Sequence, residues 1–177
     1  PDLFKNLLLE DTNIVHKKVE GPWETYWGTM SELIFNTETK IMNYVDPAAE
    51  SISPITPYNL LTYTFDFLNE HGGFTDDYRF ASMNLQKHVV EYQLYLQGYP
   101  VFSSTSRISI TWGEDSIYSY SRPYYSLDIA VANEVTTKEL DSGVDMVHYI
   151  ERHTELDLSK IDDIVIGYDL IQNPDSR

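Results

Sequence analysis

His71, Asp76 and Asp77 form a histidine–carboxylate cluster around a glycine pair, in the run TFDFLNEHGGFTDDY from Thr64 to Tyr78. Those residue types could hold a metal ion or exchange protons in general acid–base work. Their spacing argues for architecture instead. A calcium loop needs oxygen ligands alternating over about twelve residues and a closing glutamate, and that pattern is absent. His16, His88, His148 and His153 place no second ligand on a common helix face; His148 and Arg152, four apart, would be two cations. The run reads more simply as an apolar helix stopped by Gly72 and Gly73, since a left-handed C-terminal cap favours residues without a Cβ. His71 then opposes the negative end of the helix dipole, and the two aspartates open an Asx-type turn.

Other chemistries are missing their residues. The chain has no cysteine, which removes a disulfide framework, a thiolate zinc site and a cysteine nucleophile together. No GxSxG or SxxK motif and no phosphate-binding loop occurs, and Ser51, Ser53 and Ser103 to Ser106 have no neighbouring base. The reading assigns no catalytic residue, no metal ligand and no cofactor. With 28 acidic against 12 basic residues the formal net charge is −16, which repels phosphate backbones and argues against a nucleic-acid partner. It also disfavours docking on anionic lipid and favours either plain solubility or a basic protein partner.

One compositional bias remains. Tyr92, Tyr95, Tyr99, Phe102, Trp112, Tyr118, Tyr120, Tyr124 and Tyr125 fall within 34 residues. Such a crowd could line a glycan-binding face, form a protein interface, or simply pair across strands of a sheet. Arg122 is one of few cations near these rings and could stack on one of them. Tyr99, Trp112, Tyr120, Arg122 and Tyr124 are therefore the candidate binding residues.

These residues must be held by elements that periodicity predicts. A capped short helix occupies residues 2–9, and β-prone runs follow at 13–20, 23–28, 32–36 and 40–45. Three prolines in the run from Asp46 through Pro57 mark a loop that leads into a helix over 57–71, with Leu60, Leu61, Phe65 and Leu68 as its buried stripe, widened by Tyr63 and Phe67. Val90, Tyr92, Leu94 and Leu96 alternate with polar residues as in a half-buried strand. Ile108, Ile110 and Trp112 do likewise, and Gly113-Glu114-Asp115 turns the chain into a strand at 117–121. A further strand is expected after Pro123 with Leu127, Ile129 and Val131 on one face. A second helix over 142–153 has Ser142 and Asp145 at capping-box spacing and Val144, Met146, Val147 and Ile150 as its buried stripe. Ile164 to Ile166 reads as a strand covered on both sides.

The two halves share an order of hairpin strands, helix and one further strand. The expected class is α+β: two modules of mainly antiparallel strands, each carrying one packed helix, with the pattern of a duplicated unit. Residues 1–86 form the first module and 87–177 the second, truncated at its end; one continuous sheet shared by both is the alternative. No apolar run is long enough to span a membrane.

The sequence FDFLNEHGGFTD (Phe65 to Asp76), GYPVF (Gly98 to Phe102), Trp112-Gly113, Tyr120-Ser121-Arg122-Pro123, Ser142-Gly143 and the final IGY at 166–168 resembles, in that order and over nearly the whole chain, the YycH family. The resemblance implies a non-enzymatic extracytoplasmic regulator of the WalK (YycG) sensor kinase, acting with a YycI-like partner on cell-wall metabolism. It also implies anchoring at the cell membrane through an N-terminal helix absent from this chain, which would then be a central plus C-terminal fragment. The family brings no catalytic residues. A cell-wall glycan or small-ligand binding module is the alternative that the tyrosines keep open.

Overall fold

The computed structural model describes residues 2–9, 15–28, 30–51, 53–127 and 139–171. Helix α1, Asp2–Leu8, leads into four strands: β1 His16–Glu20, β2 Trp23–Trp27, β3 Glu32–Asn36 and β4 Ile41–Val45. A 3-10 turn at Pro47–Ala49 and helix α2, Pro57–Glu70, separate these from β5 Asp77–Asn84, β6 Val89–Leu96, β7 Tyr99–Pro100, β8 Arg107–Trp112 and β9 Ile117–Pro123. Helix α3 spans Gly143–His153. All nine strands join one sheet in the order β1-β2-β3-β4-β9-β8-β6-β5, with β7 added to β6, and every named pairing is antiparallel. The fold is the expected α+β class. Strands from both halves of the chain share the sheet through the β4–β9 pairing, and the expected boundary at 86/87 falls in the turn between β5 and β6.

Register places the core on one face. Tyr26, Leu33, Tyr44, Tyr120, Ile110 and Val90 are successive cross-strand partners from β2 to β6. All but Tyr44 are buried outright, and Tyr44 packs against them partly buried. The matching row on the other face runs Thr25, Ile34, Asn43, Ser121, Ser109, Glu91 and Ser82. That row is almost wholly polar, as expected of an antiparallel sheet with one open face. On the apolar side α1 contributes Phe4 and Leu8, followed by Leu9, and α2 contributes Leu60, Thr64 and Leu68. The α2 stripe differs from the expected one, because Leu61, Tyr63 and Phe65 are exposed. Positions 60, 64 and 68 lie on one line four apart, and Thr64 fits there because its Oγ1 donates to the Leu60 carbonyl at 2.8 Å, satisfying a buried hydroxyl.

Arg122 occupies the middle of this apolar face, opposite Met42, with none of its surface exposed. Its Nε donates to the Pro123 carbonyl at 3.1 Å, and Nη1 to the Gly73 carbonyl at 2.8 Å and the Tyr120 hydroxyl at 2.9 Å. Nη2 reaches Thr75 Oγ1 at 3.3 Å, and the guanidinium lies over the Phe4 ring at 5.1 Å. Among the described residues it forms no ion pair; its charge is met by carbonyl and hydroxyl dipoles. The glycine pair follows from this contact. Gly72 has φ +101°, and a Cβ there would sit 3.1 Å from Phe4 Cε1, so only glycine passes between the two groups without strain. Gly113 meets a harder constraint, since a Cβ would collide with the Ala49 carbonyl of the 3-10 turn.

Four expectations are corrected. The one further strand expected after the first helix is β5, whose residues periodicity did not locate, because only Tyr78 is buried and Met83 half-buried and the alternation that marks a strand is missing. Strand β9 extends to Pro123, which stands at its end; of the strand expected beyond it, Leu127 lies in a bend and residues 128–138 are outside the described residues. Helix α3 forms where expected, and Ser142 Oγ accepts from Asp145 N at 3.2 Å, but Val144 is 66% exposed and no residue of α3 is buried. Ile164 to Ile166 form no strand and are exposed; the chain meets the sheet instead through a parallel bridge between Val101 and Tyr168.

Replacing Arg122 with leucine keeps volume but orphans the Gly73 carbonyl and the Tyr120 hydroxyl, at about 1–3 kcal/mol per buried group. We expect Arg122→Leu to lower stability in urea denaturation by roughly 3 kcal/mol, and Tyr120→Phe added to it to cost nothing further; an unchanged midpoint for Arg122→Leu would refute the clamp. Alkali gives a second check. Burial pushes the Tyr120 phenol up to about 12, and Tyr78, whose hydroxyl has no hydrogen-bond partner among the described residues, is raised further by burial. Above about pH 10 the unfolded chain releases phenolic protons that the folded chain retains. Stability is therefore full below about pH 10 and falls as pH rises toward about 12, read as a urea midpoint that declines over that interval; a flat midpoint would overturn it.

Candidate binding surface

The histidine–carboxylate run dissolves into three separate structural roles. His71 caps α2: its backbone N–H donates to the Phe67 carbonyl at 3.0 Å, its Nδ1 reaches the same oxygen at 2.7 Å, and its ring stacks on Phe67 at 4.0 Å. Asp76 accepts from Ser126 Oγ at 3.1 Å and the Leu127 N–H at 3.0 Å, tying the end of β9 to the loop after α2. Asp77 pairs with Arg79, which holds its carboxyl below the usual range. Among the described residues no group of three histidine, aspartate or glutamate side chains could hold a metal ion.

The five candidate binding residues lie in different settings. Tyr120 and Arg122 point into the core as described. Tyr124 donates from its hydroxyl to the Asn36 carbonyl at 3.0 Å and sets its ring edge-on to Phe35 at 5.4 Å. Tyr99 is exposed on β7 and meets Tyr168 at 6.3 Å. Trp112 ends β8 and faces Tyr63 of α2, ring centroids 5.1 Å apart. Much of the aromatic crowd is therefore cross-strand and core packing: Tyr92 is buried, and the Tyr125 hydroxyl donates to the Thr105 carbonyl at 2.8 Å.

Trp112 opens onto a cleft of about 390 Å³ between α2 and the β8–β9 hairpin. Tyr63 and Phe67 come from the helix and Tyr44 and Ile117 from the sheet. Four carboxylates share the lining, Asp46, Asp66, Glu70 and Asp115, and among the described residues no lysine, arginine or histidine does. Asp66 and Glu70 stand one helical turn apart on α2, which is visible in the sequence. Asp46 caps the 3-10 turn, its Oδ1 accepting from the Ala48 N–H at 3.0 Å, and Asp115 lies in the hairpin turn. Their convergence with the first pair depends on the β4–β9 pairing, so sequence reasoning missed it.

Comparison with known proteins gives the relationship. The family model described as "YycH protein, C-terminal domain" matches residues 1–177. The two-component system WalR/WalK regulatory protein YycH of Bacillus subtilis is 31% identical over 114 residues, covering 59% of this chain and 24% of the relative. The crystal structure of YycH from Bacillus subtilis superposes with a TM-score of 0.75 at 25% identity, covering 96% of this chain and 43% of that one. The chain thus spans less than half the length of these relatives, and its α+β fold with a mostly antiparallel sheet matches that structure. By the family match over its full length, this chain belongs to the YycH family, as a YycH C-terminal domain.

Proposed function

We propose that the chain is the body of a non-enzymatic regulator of a WalR/WalK-type two-component system, acting by protein contact outside the cytoplasm on the WalK sensor kinase together with a YycI-like partner. The observation that carries this is the family match over residues 1–177, joined to a relative whose name states that regulatory role. The surface supports it. One sheet face is open and polar, and the aromatic cleft beside α2 is exposed, as contact surfaces are. The net charge of −16 favours basic protein partners by electrostatic steering and disfavours nucleic acid. Among the described residues no helix is long and apolar enough to cross a membrane; attachment of the regulator to the membrane is carried, in this reading, by a helix outside this sequence. Influence on cell-wall metabolism follows from the system regulated. The glycan-binding alternative has less support, because Tyr92 and Tyr120 are spent in the core.

The test is calorimetric titration of the protein with the extracytoplasmic domains of WalK and of YycI, alongside a WalR-dependent reporter in cells with and without the gene. Saturable binding to either domain, weakened by salt, and a shifted reporter are expected. A silent reporter with no heat from either domain would overturn the reading.

A further inference from the structure

The α2 cleft combines the parts of a site for a cationic side chain. This chain holds cationic side chains the same way twice elsewhere on the sheet. The Arg79 guanidinium lies 4.1 Å over the Tyr95 ring while Nη2 pairs with Asp77 at 2.7 Å. Lys17 lies 5.1 Å over the Tyr26 ring while pairing with Glu24 at 3.2 Å. In both, a ring supplies a negative π face and a carboxylate supplies the counter-charge. The cleft repeats that combination on a larger scale, with the Tyr63 and Trp112 rings beside Asp46, Asp66, Glu70 and Asp115. None of these four carboxylates takes part in an ion pair among the described residues.

We propose that this cleft is a docking site for an arginine- or lysine-bearing segment of a protein partner, whose cationic side chain lies against the contacting pair of rings, Tyr63 and Trp112, and is held by the surrounding carboxylates. Charge complementarity selects the occupant. Four like charges around about 390 Å³ repel an anion and stay uncompensated beside a neutral sugar, whereas a guanidinium neutralises charge, stacks on a ring and bonds a carboxylate at its edge. The volume matches a long side chain with its flanking backbone rather than a bare ion. Openness to solvent favours a tethered cation over a free one, because screening weakens each single contact and a segment with two basic residues engages both the helix carboxylates and the hairpin carboxylate. This site goes beyond the regulator reading and does not depend on it.

The test uses the whole chain and three probes: a Gly-Arg-Ser-Arg-Gly peptide with blocked ends, the same peptide with citrulline in place of arginine, and free arginine amide. Titration is followed by calorimetry and by tryptophan fluorescence, with Trp112→Phe to assign the signal. The arginine peptide is expected to bind saturably and change Trp112 emission, with the citrulline peptide and arginine amide at least about tenfold weaker. Asp66→Asn with Glu70→Gln is expected to weaken the arginine peptide about tenfold with an unchanged thermal midpoint, while Asp162→Asn with Asp163→Asn, away from the cleft, leaves it intact. Equal binding of arginine and citrulline peptides overturns the site, as does equal loss in both double variants, which would mean general charge attraction. Arginine amide binding as tightly as the peptide overturns the protein-segment occupant.

Discussion

A guanidinium buried in the centre of an apolar sheet face is the constraint on which the rest of this structure turns. Desolvating such a charge is costly, and in the absence of a carboxylate partner the compensation must come from dipoles held in fixed places. Arg122 gathers them from two places at once: the Pro123 carbonyl and Tyr120 hydroxyl of β9, and the Gly73 carbonyl and Thr75 hydroxyl after α2. The Phe4 ring of α1 covers the same group. Helix α2 therefore cannot end one residue earlier or later without leaving the charge unmet. Its cap, the glycine pair and the position of α1 are consequences of one side chain.

The second organising feature is the pairing of β4 with β9, which joins strands some eighty residues apart in sequence into one sheet. It aligns the buried row from Tyr26 to Val90 and leaves the opposite row polar, so α1 and α2 have a single surface to cover. It also brings Asp46, at the end of β4, to the hairpin that carries Asp115, opposite the exposed flank of α2. The cleft is thus a by-product of how the two sets of strands are joined. Helix α3 buries no residue, and the segment to Ile171 meets the core through Leu170, the Val101–Tyr168 bridge and the Phe102 N–H to Tyr168 carbonyl bond at 2.7 Å.

The motifs that mark the family acquire physical reasons. The helix-ending glycine pair makes room for Phe4 and presents a carbonyl to Arg122. The Ser-Arg-Pro run supplies the guanidinium and one of its acceptors. Trp112-Gly113 lets the 3-10 turn lie against the hairpin, and in the final IGY a Cβ on Gly167 would run into the Phe102 ring of GYPVF. These residues meet one another across the fold, so the motifs belong to one packing arrangement rather than to separate sites.

Local pattern was legible wherever burial had a regular period. Strands β3, β6 and β8, both capped helices and the glycine stop follow from side-chain alternation, cap chemistry and φ preference, which act over a few residues and are written in the chain. The α+β class and the family resemblance followed from the same local order. Strand β5 was illegible because an edge strand with one outright buried side chain shows no alternation, and its hydrogen bonds to β6 carry it. The stripes assigned to α2, α3 and Ile164 to Ile166 were misjudged for a related reason: apolar spacing tells which face could be buried, and only a neighbour decides which face is. The sequence determined elements, charge and the absence of thiol chemistry. Tertiary structure alone decided that Arg122 is interior, that both halves share one sheet and that four carboxylates surround Trp112, because each depends on contacts between segments far apart in the chain.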